Sequence, residues 1–327
     1  MRYTNLGKTD IKVSVIGFGA WAIGGKWWGG NDEKDSLEAI YASFEGGVNF
    51  IDTAPAYGQG LSEEIVGKAI AGKRDKIVVA TKCGLRWNLK KGFYFFDYAP
   101  GVPIYRYLGK QSIEHELNQS LKRLKTDYID LYQTHWQDPT TPISETMEAL
   151  LDLKQKGKIR AIGVSNISLE QIKEYSKYGQ IDSDQEKYSI IDRAVEADLL
   201  PWCEKNGASL IAYSPLAKGL LTGKMSPERK FTQDDSRFGD DRYSAKNILK
   251  TNELLEKHLR DVAQKHGASY GHLAVAWLIK NPTVIALVGA RNKVQAEDNI
   301  KSASIILDSE DLDKMNKFIN EYSKTAI

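Results

Sequence analysis

The clearest sign of the fold is Val48-Asn49-Phe50-Ile51-Asp52-Thr53-Ala54-Pro55-Ala56-Tyr57-Gly58, in which a short apolar run ends at an aspartate and a turn. Two further apolar runs have the same form, since residues 76–81 lead to Lys82 and residues 128–134 lead to His135. In a parallel α/β barrel the carboxyl ends of all strands face one rim, where side chains distant in sequence converge. The pattern predicts one pocket that contains four polar side chains: Asp52, Tyr57, Lys82 and His135.

Short apolar segments alternate with amphipathic ones along the rest of the chain. Eight candidate strands cover residues 13–18, 48–51, 77–81, 128–133, 159–164, 181–185, 209–212 and 284–288. Candidate helices cover residues 33–45, 62–70, 112–124, 143–155, 169–175, 194–205, 247–266, 270–280, 293–300 and 309–322. Eight βα units in order predict an α/β fold, a (β/α)8 TIM barrel, formed by residues 1–327 as a single domain. The alternating start, with a turn near residues 7–10, predicts a hairpin that plugs the barrel bottom, and the surplus helices are predicted C-terminal additions.

Two long segments do not fit a minimal barrel. Residues 84–110 are dense in aromatic side chains, and residues 216–245 are polar and mixed in charge. Long connections in compact domains are often functional, so both are predicted to be loops on the catalytic rim. The aromatic segment is interpreted either as a substrate wall or as an oligomer contact. The sequence assigns no oligomeric state.

Composition excludes several classes of partner. The chain has 327 residues, 42% of them hydrophobic, and interspersed charges that sum to +2, unlike a nucleic-acid footprint or a polybasic membrane patch. The two cysteines, Cys83 and Cys203, form neither a disulfide framework nor a metal-ligand spacing. No signal core opens the sequence, and no run approaches the roughly 18 apolar residues of a membrane span. We expect a cytoplasmic protein without a metal, nucleic-acid or membrane partner.

The four polar side chains suggest a specific chemistry. A tyrosine phenol has an unperturbed pKa near 10, and a neighbouring lysine ammonium lowers that pKa and eases proton release. An aspartate can hold the lysine, and a histidine can donate a hydrogen bond to a carbonyl oxygen. This set suits protonation of the oxyanion that forms when hydride attacks a carbonyl. Each residue alone has a commoner structural role, but four such residues at three strand ends favour catalysis.

One glycine-rich motif imitates a dinucleotide-binding fingerprint. Gly17-Phe18-Gly19-Ala20-Trp21-Ala22 follows an apolar run, but the chain continues through Ile23-Gly24-Gly25-Lys26-Trp27-Trp28-Gly29-Gly30. The fingerprint requires a helix to start at once, so that its N-terminus holds the pyrophosphate. We therefore predict a tight turn at the barrel mouth here and not a Rossmann fold.

The chain resembles the aldo-keto reductases along nearly its whole length. The most specific matches are residues 46–58, 120–131 and 157–166, and two later matches are Tyr213-Ser214-Pro215-Leu216 and Gly289-Ala290-Arg291. The likeness is greatest to the bacterial general-stress and inositol-operon branch, which also resembles potassium-channel β subunits. It implies NADPH-dependent reduction of a small-molecule aldehyde or ketone, with Tyr57 as the general acid of a catalytic tetrad.

The resemblance also implies a cofactor site. Its residues would be Ser165, Asn166, Gln185, Tyr213, Ser214, Leu216, Lys218, Gly289, Arg291, Gln295, Asp298 and Asn299. The positions that hold the 2′-phosphate in many members are Gly289 and Ala290 here, which leaves Arg291 to supply the charge. The pair Ser165-Asn166 has a second interpretation as a helix cap, and Arg291 as a solvated charge at a helix start.

The aromatic residues of segment 93–107 and four tryptophans suggest a bulky or sugar-like ligand, because aromatic faces pack against rings, and the four tryptophans are the candidates for the substrate pocket. They are Trp21, Trp28, Trp87 and Trp136. Two other functions stay open. A cofactor-sensing subunit similar to the channel β subunits would keep the tetrad but turn over slowly. A glycoside hydrolase needs two carboxylates at the rim, and only Glu186 follows the sixth strand.

Overall fold

The computed structural model describes residues 1–325, and its strands form three separate sheets. In chain order the strands are β1 (Tyr3–Asn5), β2 (Lys12–Ser14), β3 (Ile16–Gly19), β4 (Phe50–Asp52), β5 (Val78–Cys83), β6 (Leu85–Arg86), β7 (Phe93–Ala99), β8 (Val102–Arg106), β9 (Ile129–Thr134), β10 (Ile159–Ser165), β11 (Ser183–Lys187), β12 (Ser209–Tyr213) and β13 (Val284–Val288). Eight of them close into a parallel barrel in the order β3-β4-β5-β9-β10-β11-β12-β13. The predicted (β/α)8 barrel is therefore confirmed.

Ten α-helices are present within the described residues. They are α1 (Glu33–Glu45), α2 (Leu61–Ala69), α3 (Lys110–Leu124), α4 (Ile143–Gln155), α5 (Leu169–Ser176), α6 (Leu199–Asn206), α7 (Ala245–His266), α8 (Tyr270–Leu278), α9 (Lys293–Ile300) and α10 (Ser309–Ser323). They cover the outside of the barrel, so strands such as β5, β9 and β13 are buried on both faces. None of these helices is long and apolar enough to cross a membrane.

The N-terminal hairpin closes the bottom of the barrel, as predicted. Strands β1 and β2 pair antiparallel, and the buried side chains of Leu6, Ile11 and Val13 pack with inward-facing barrel residues such as Phe50 and Ile285. Gly7 makes the close approach possible, because its φ is 57° and a Cβ there would lie 2.4 Å from the carbonyl oxygen of Asp182. The barrel interior is therefore filled at this end and open only at the other.

Two predicted segments have a different form in the structure. Residues 13–18 are not one strand: they divide between hairpin strand β2 and barrel strand β3. The glycine-rich motif therefore begins within a barrel strand, and the predicted turn at the mouth follows at Ala20 and Trp21, before the 3-10 turn Ala22–Gly24. Gly17 is required for packing, since a Cβ there would lie 2.7 Å from Phe50 and 2.8 Å from Leu287.

The aromatic segment 84–110 is also not a plain loop. It folds into a three-stranded antiparallel sheet in the order β6-β8-β7, and α3 begins at its end. Its aromatic and β-branched residues favour strand pairing, which the density of aromatics alone did not reveal. Segment 216–245 remains mostly irregular, with short 3-10 turns at Ala217–Thr222 and Asp241–Tyr243.

Candidate active site

Alternation along the barrel strands aims the predicted side chains inward. Residues two apart on a strand share a face, so Asp52 follows the buried Phe50, and Lys82 follows Ala80. Lys82 is enclosed, with 1% of its side chain exposed. Its Nζ lies 2.5 Å from Asp52 Oδ1 and donates to the carbonyl oxygen of Thr53 at 3.0 Å. The third partner of this ammonium is the Tyr57 hydroxyl, at 3.2 Å.

Two glutamines complete the surroundings of Asp52. Gln133 Nε2 donates to Asp52 Oδ2 at 3.0 Å, and Gln185 Nε2 donates to the same oxygen at 2.9 Å. Both oxygens of this buried carboxylate thus have hydrogen-bond partners, as a buried polar group requires. Sequence reasoning missed Gln133, although it lies two residues before His135 and therefore on the same inward face of β9.

The acid–base properties of Tyr57 differ from the simple expectation. Burial raises its pKa, the charge of Lys82 acts in the opposite direction, and the charge of Asp52 raises it further. The net shift of the Tyr57 pKa is upward, so the lowering expected from Lys82 offsets the effect of burial only in part. Burial lowers the pKa of Lys82, whereas the interactions of its ammonium with Asp52 and Tyr57 raise it. These interactions outweigh burial, so the net shift of the Lys82 pKa is upward. The phenol is therefore protonated and the ammonium charged near neutral pH.

His135 stands beside the phenol. The two rings meet edge to face, with centroids 5.8 Å apart and planes at 84°. Burial, together with the charge of Lys82, lowers the pKa of His135 well below its usual value. The imidazole is therefore neutral and keeps one N–H for donation.

A second group of polar residues lies at the ends of β10, β11 and β12. Asn166 adopts φ 54° just after β10, its Nδ2 donates to the carbonyl oxygen of His135 at 3.0 Å, and its Oδ1 accepts from the Tyr213 hydroxyl at 2.8 Å. Ser165 Oγ donates to the carbonyl oxygen of Gln185 at 2.7 Å. The cap of α5 is Ser168, in a capping box with Gln171, so the pair Ser165-Asn166 is not the cap.

A cavity of about 680 Å³ connects these groups. Its wall includes Asp52, Tyr57 and His135, whereas Lys82 lies behind it. All twelve residues of the predicted cofactor site also line it. Four cationic side chains besides Arg291 lie on the wall: Lys218, Lys224, Arg229 and Arg237. A long cavity with this donor set fits a ligand that carries several phosphates.

The aromatic wall of the cavity differs in part from the prediction. Trp21, Trp28 and Trp136 line the cavity, but within residues 1–325 Trp87 is not among the lining residues. Four further aromatic side chains line the cavity: Trp27, which sequence reasoning did not select, and Phe95, Phe96 and Tyr98, which belong to the aromatic segment interpreted from the sequence as a possible substrate wall. The three-stranded sheet supplies the last three, and stacking joins it to the barrel, with Phe95 5.1 Å from Trp136 and Tyr98 5.1 Å from Trp27.

Segment 216–245 reaches across the cavity mouth to the loop after β3. Ser236 N donates to the carbonyl oxygen of Trp27 at 2.9 Å, and Trp28 forms an antiparallel bridge with Asp235. Arg291 Nη1 donates to the carbonyl oxygen of Trp28 at 2.6 Å. These contacts connect the cationic side chains of the cavity wall with the aromatic ones, so that the two groups form one continuous wall.

Comparisons with known proteins agree with this geometry. The model of the aldo/keto reductase family matches residues 15–320. Aldo-keto reductase YhdN of Bacillus subtilis (strain 168) is 42% identical over 325 residues, 98% of this chain and 94% of that protein. The NADH-specific methylglyoxal reductase of Escherichia coli (strain K12) is 40% identical over 324 residues, 97% of this chain and 98% of that protein.

The solved structures give the same answer. The glycerol dehydrogenase AKR11B4 from Gluconobacter oxydans superposes with a TM-score of 0.89 and 36% identity, covering 99% of this chain and 97% of that one. A family match over most of the chain, full-length relatives and a shared barrel lead to one conclusion. The chain belongs to the aldo/keto reductase family and is an NAD(P)H-dependent oxidoreductase.

Proposed function

We propose that this chain reduces an aldehyde or ketone to an alcohol with NADPH, and that Tyr57 supplies the proton. The observation that carries the proposal is the buried arrangement in which the Lys82 ammonium bridges Asp52 at 2.5 Å and the Tyr57 hydroxyl at 3.2 Å. The Tyr57 hydroxyl and His135 are both on the cavity wall, where a carbonyl oxygen can approach them together. A protonated phenol beside a fixed ammonium is a general acid for an alkoxide.

Each polar residue has a distinct role in this proposal. Lys82 stabilises negative charge on the Tyr57 oxygen after proton transfer, and Asp52 keeps Lys82 in place. The neutral His135 donates a hydrogen bond to the carbonyl oxygen and so stabilises developing charge. When bound, a nicotinamide cofactor supplies the hydride.

The cavity fits such a cofactor. Ser165, Asn166, Gln185 and Tyr213 surround its inner end, and they would hold the nicotinamide. Ser214, Leu216 and Lys218 would lie along the pyrophosphate, and the adenosine end would meet residues farther out: Gly289, Arg291, Gln295, Asp298 and Asn299. The cationic side chains on the wall favour the extra phosphate of NADPH, and Arg291 is the proposed partner of that phosphate.

A second function is favoured by the contacts over the cavity mouth. The bridge between Trp28 and Asp235 and the ion pair of Lys26 with Asp234, at 3.8 Å, would have to open before a cofactor leaves. Slow release would suit a subunit that senses the redox state of its cofactor and turns over poorly. This alternative retains the same four polar residues.

Steady-state turnover separates the two functions. The purified chain is assayed with a panel of aromatic, aliphatic and sugar aldehydes and ketones, with NADPH and with NADH. The proposal expects turnover on the order of 1–10³ s⁻¹ with at least one carbonyl compound. Tight NADPH binding with only a single turnover would favour the sensor, and the absence of both binding and turnover would contradict both functions.

A further inference from the structure

Strand β11 and the residue just before it carry three carboxylates that the proposed reaction does not use. Gln185 points into the barrel toward Asp52, and residues two apart share the other face, which carries Asp182, Asp184 and Glu186. All three are buried, with exposures of 1%, 0% and 9%. Carboxylates are rarely buried without a partner, so each of them needs a specific role.

Glu186 hydrogen-bonds to the chain next to the cofactor site. Its Oε1 accepts from the backbone N–H of Ile167 at 2.9 Å. Ile167 directly follows Asn166, whose φ of 54° is uncommon for a residue with a side chain. Asn166 in turn contacts the Tyr213 hydroxyl and the carbonyl oxygen of His135. Glu186 thus anchors the backbone on which an unusual conformation aims a cavity side chain.

Asp184 is a second buried carboxyl next to Glu186. Its carboxyl neighbours that of Glu186, and within residues 1–325 neither of its oxygens has a hydrogen-bond partner. Burial raises the pKa of Asp184 well above its usual range, and the neighbouring Glu186 raises it further. The neutral form of Asp184 is therefore favoured, which avoids two like charges side by side in a buried place.

We propose that Glu186 is a positioning residue that fixes Asn166, and through it Tyr213, for the nicotinamide end of the cofactor. This inference rests on the proposed function, because it takes Asn166 and Tyr213 as the nicotinamide contacts. It predicts that loss of Glu186 weakens the binding of the nicotinamide moiety and spares the adenosine end, which would meet residues after β13, two strands away from β11.

The test compares two ligands in each variant. NADPH carries the nicotinamide, and 2′,5′-ADP carries only the adenosine end and its phosphates; the ratio of their dissociation constants is measured by calorimetry. Glu186→Leu removes the acceptor of the Ile167 N–H and should weaken NADPH by about tenfold, while 2′,5′-ADP changes less than twofold. Glu186→Gln retains a carbonyl acceptor for the Ile167 N–H, so it should keep the wild-type ratio.

Asp182→Asn is the matched control. Asp182 directly precedes β11 and accepts from the Ile162 N–H at 2.9 Å, but that contact is distant from Asn166. It should lower the melting temperature without changing the ligand ratio. Should Glu186→Leu not fold, Glu186→Ser replaces it, because its short side chain loses the direct bond and leaves room for water around Asp184.

The outcomes separate the inference from the proposed function. An unchanged ratio in the folded Glu186 variant, or an equal loss of both ligands, overturns the positioning role. The positioning role is also overturned if the ratio of the two dissociation constants changes equally in Glu186→Leu and Glu186→Gln, since the acceptor that Glu186→Gln retains should suffice. If the wild-type chain binds NADPH no better than 2′,5′-ADP, the nicotinamide site itself is wrong, and the proposed function fails with it.

Discussion

The two ends of the cavity are built in different ways. At the inner end, the strand-end cluster of Asp52, Tyr57, Lys82 and His135 is held by barrel strands and by hydrogen bonds to neighbouring side chains. At the outer end, the rim consists of the aromatic sheet of residues 85–106 and of segment 216–245, which meet the barrel through stacking and a few backbone contacts. The cluster can therefore fix the reaction, while the rim is free to set cofactor and substrate preference.

The sharpest way to break the cluster is to remove its buried cation. Lys82→Met leaves Asp52 buried with two amide donors but no positive charge. Loss of one member of a buried pair costs about 3–5 kcal/mol, so we expect a lower free energy of unfolding together with loss of carbonyl reduction. Denaturant unfolding and a steady-state assay measure the two effects.

Lys154→Met is the control for this change. Lys154 pairs with the buried Asp182 at 3.3 Å, but 35% of its side chain is exposed, so water replaces much of its interaction. Its loss should cost less than that of Lys82 and leave turnover intact. If both lysine variants are equally stable, the Lys82–Asp52 pair does not hold the cluster together.

Tyr57→Phe removes the proton donor and keeps the ring. We expect turnover to fall at least about a hundredfold, which is within the contribution of general acid catalysis, with NADPH binding within a few-fold of the wild-type value. Tyr178→Phe is the matched control, because Tyr178 is an exposed tyrosine that bonds to Glu174 outside the cavity. Near-normal reduction of every carbonyl by Tyr57→Phe would refute the mechanism.

At the rim, Arg291→Ala tests cofactor choice. A charged hydrogen bond to the 2′-phosphate contributes roughly 1.5–3 kcal/mol, which is about ten- to a hundredfold in affinity. We therefore expect the NADPH dissociation constant to rise by that factor and the NADH constant to stay nearly constant. Lys293→Ala, an exposed lysine in the next helix, should change neither.

Two results would show that a residue other than Arg291 selects between NADPH and NADH. If both dissociation constants rise together, or if the wild-type chain already prefers NADH, Arg291 does not select the cofactor. Arg229 would then be the next candidate, because it lines the cavity, whereas Arg237 is already paired with Asp235 at 2.6 Å and Arg242 with Asp192 at 2.9 Å.

The smallest effect is expected at the aromatic wall. Trp27→Ala removes a ring that stacks on Tyr98 and faces the cavity, so KM for a ring-bearing aldehyde should rise about two- to tenfold, with kcat little changed. A small aldehyde should show no rise. Trp87→Ala is the comparison, because Trp87 is also partly buried but is not among the lining residues. An identical rise of KM in both variants would show that the aromatic rim is not a substrate wall.

The sequence predicted the barrel better than it predicted the rim. Barrel strands are apolar, regularly spaced and bounded by turns, so the eight strands and most helix bounds follow from local pattern. Residues 13–18 were predicted as one strand because a hairpin strand and a barrel strand follow each other there with no run of polar residues between them. The sheet within 84–110 was missed because its strands pair with each other at the surface, where no buried face imposes a regular pattern.

By itself the sequence determined the eight βα units, the hairpin and the arrival of an aspartate, a lysine and a histidine at the ends of successive strands. Strand alternation and barrel closure are local rules, so these features follow from the order of residues. Only the tertiary structure decided the upward pKa of Tyr57, because burial outweighs the charge of Lys82 there. It alone also placed Gln133 on Asp52, Trp27 on the wall and Glu186 behind Asn166, since these contacts join segments far apart along the chain.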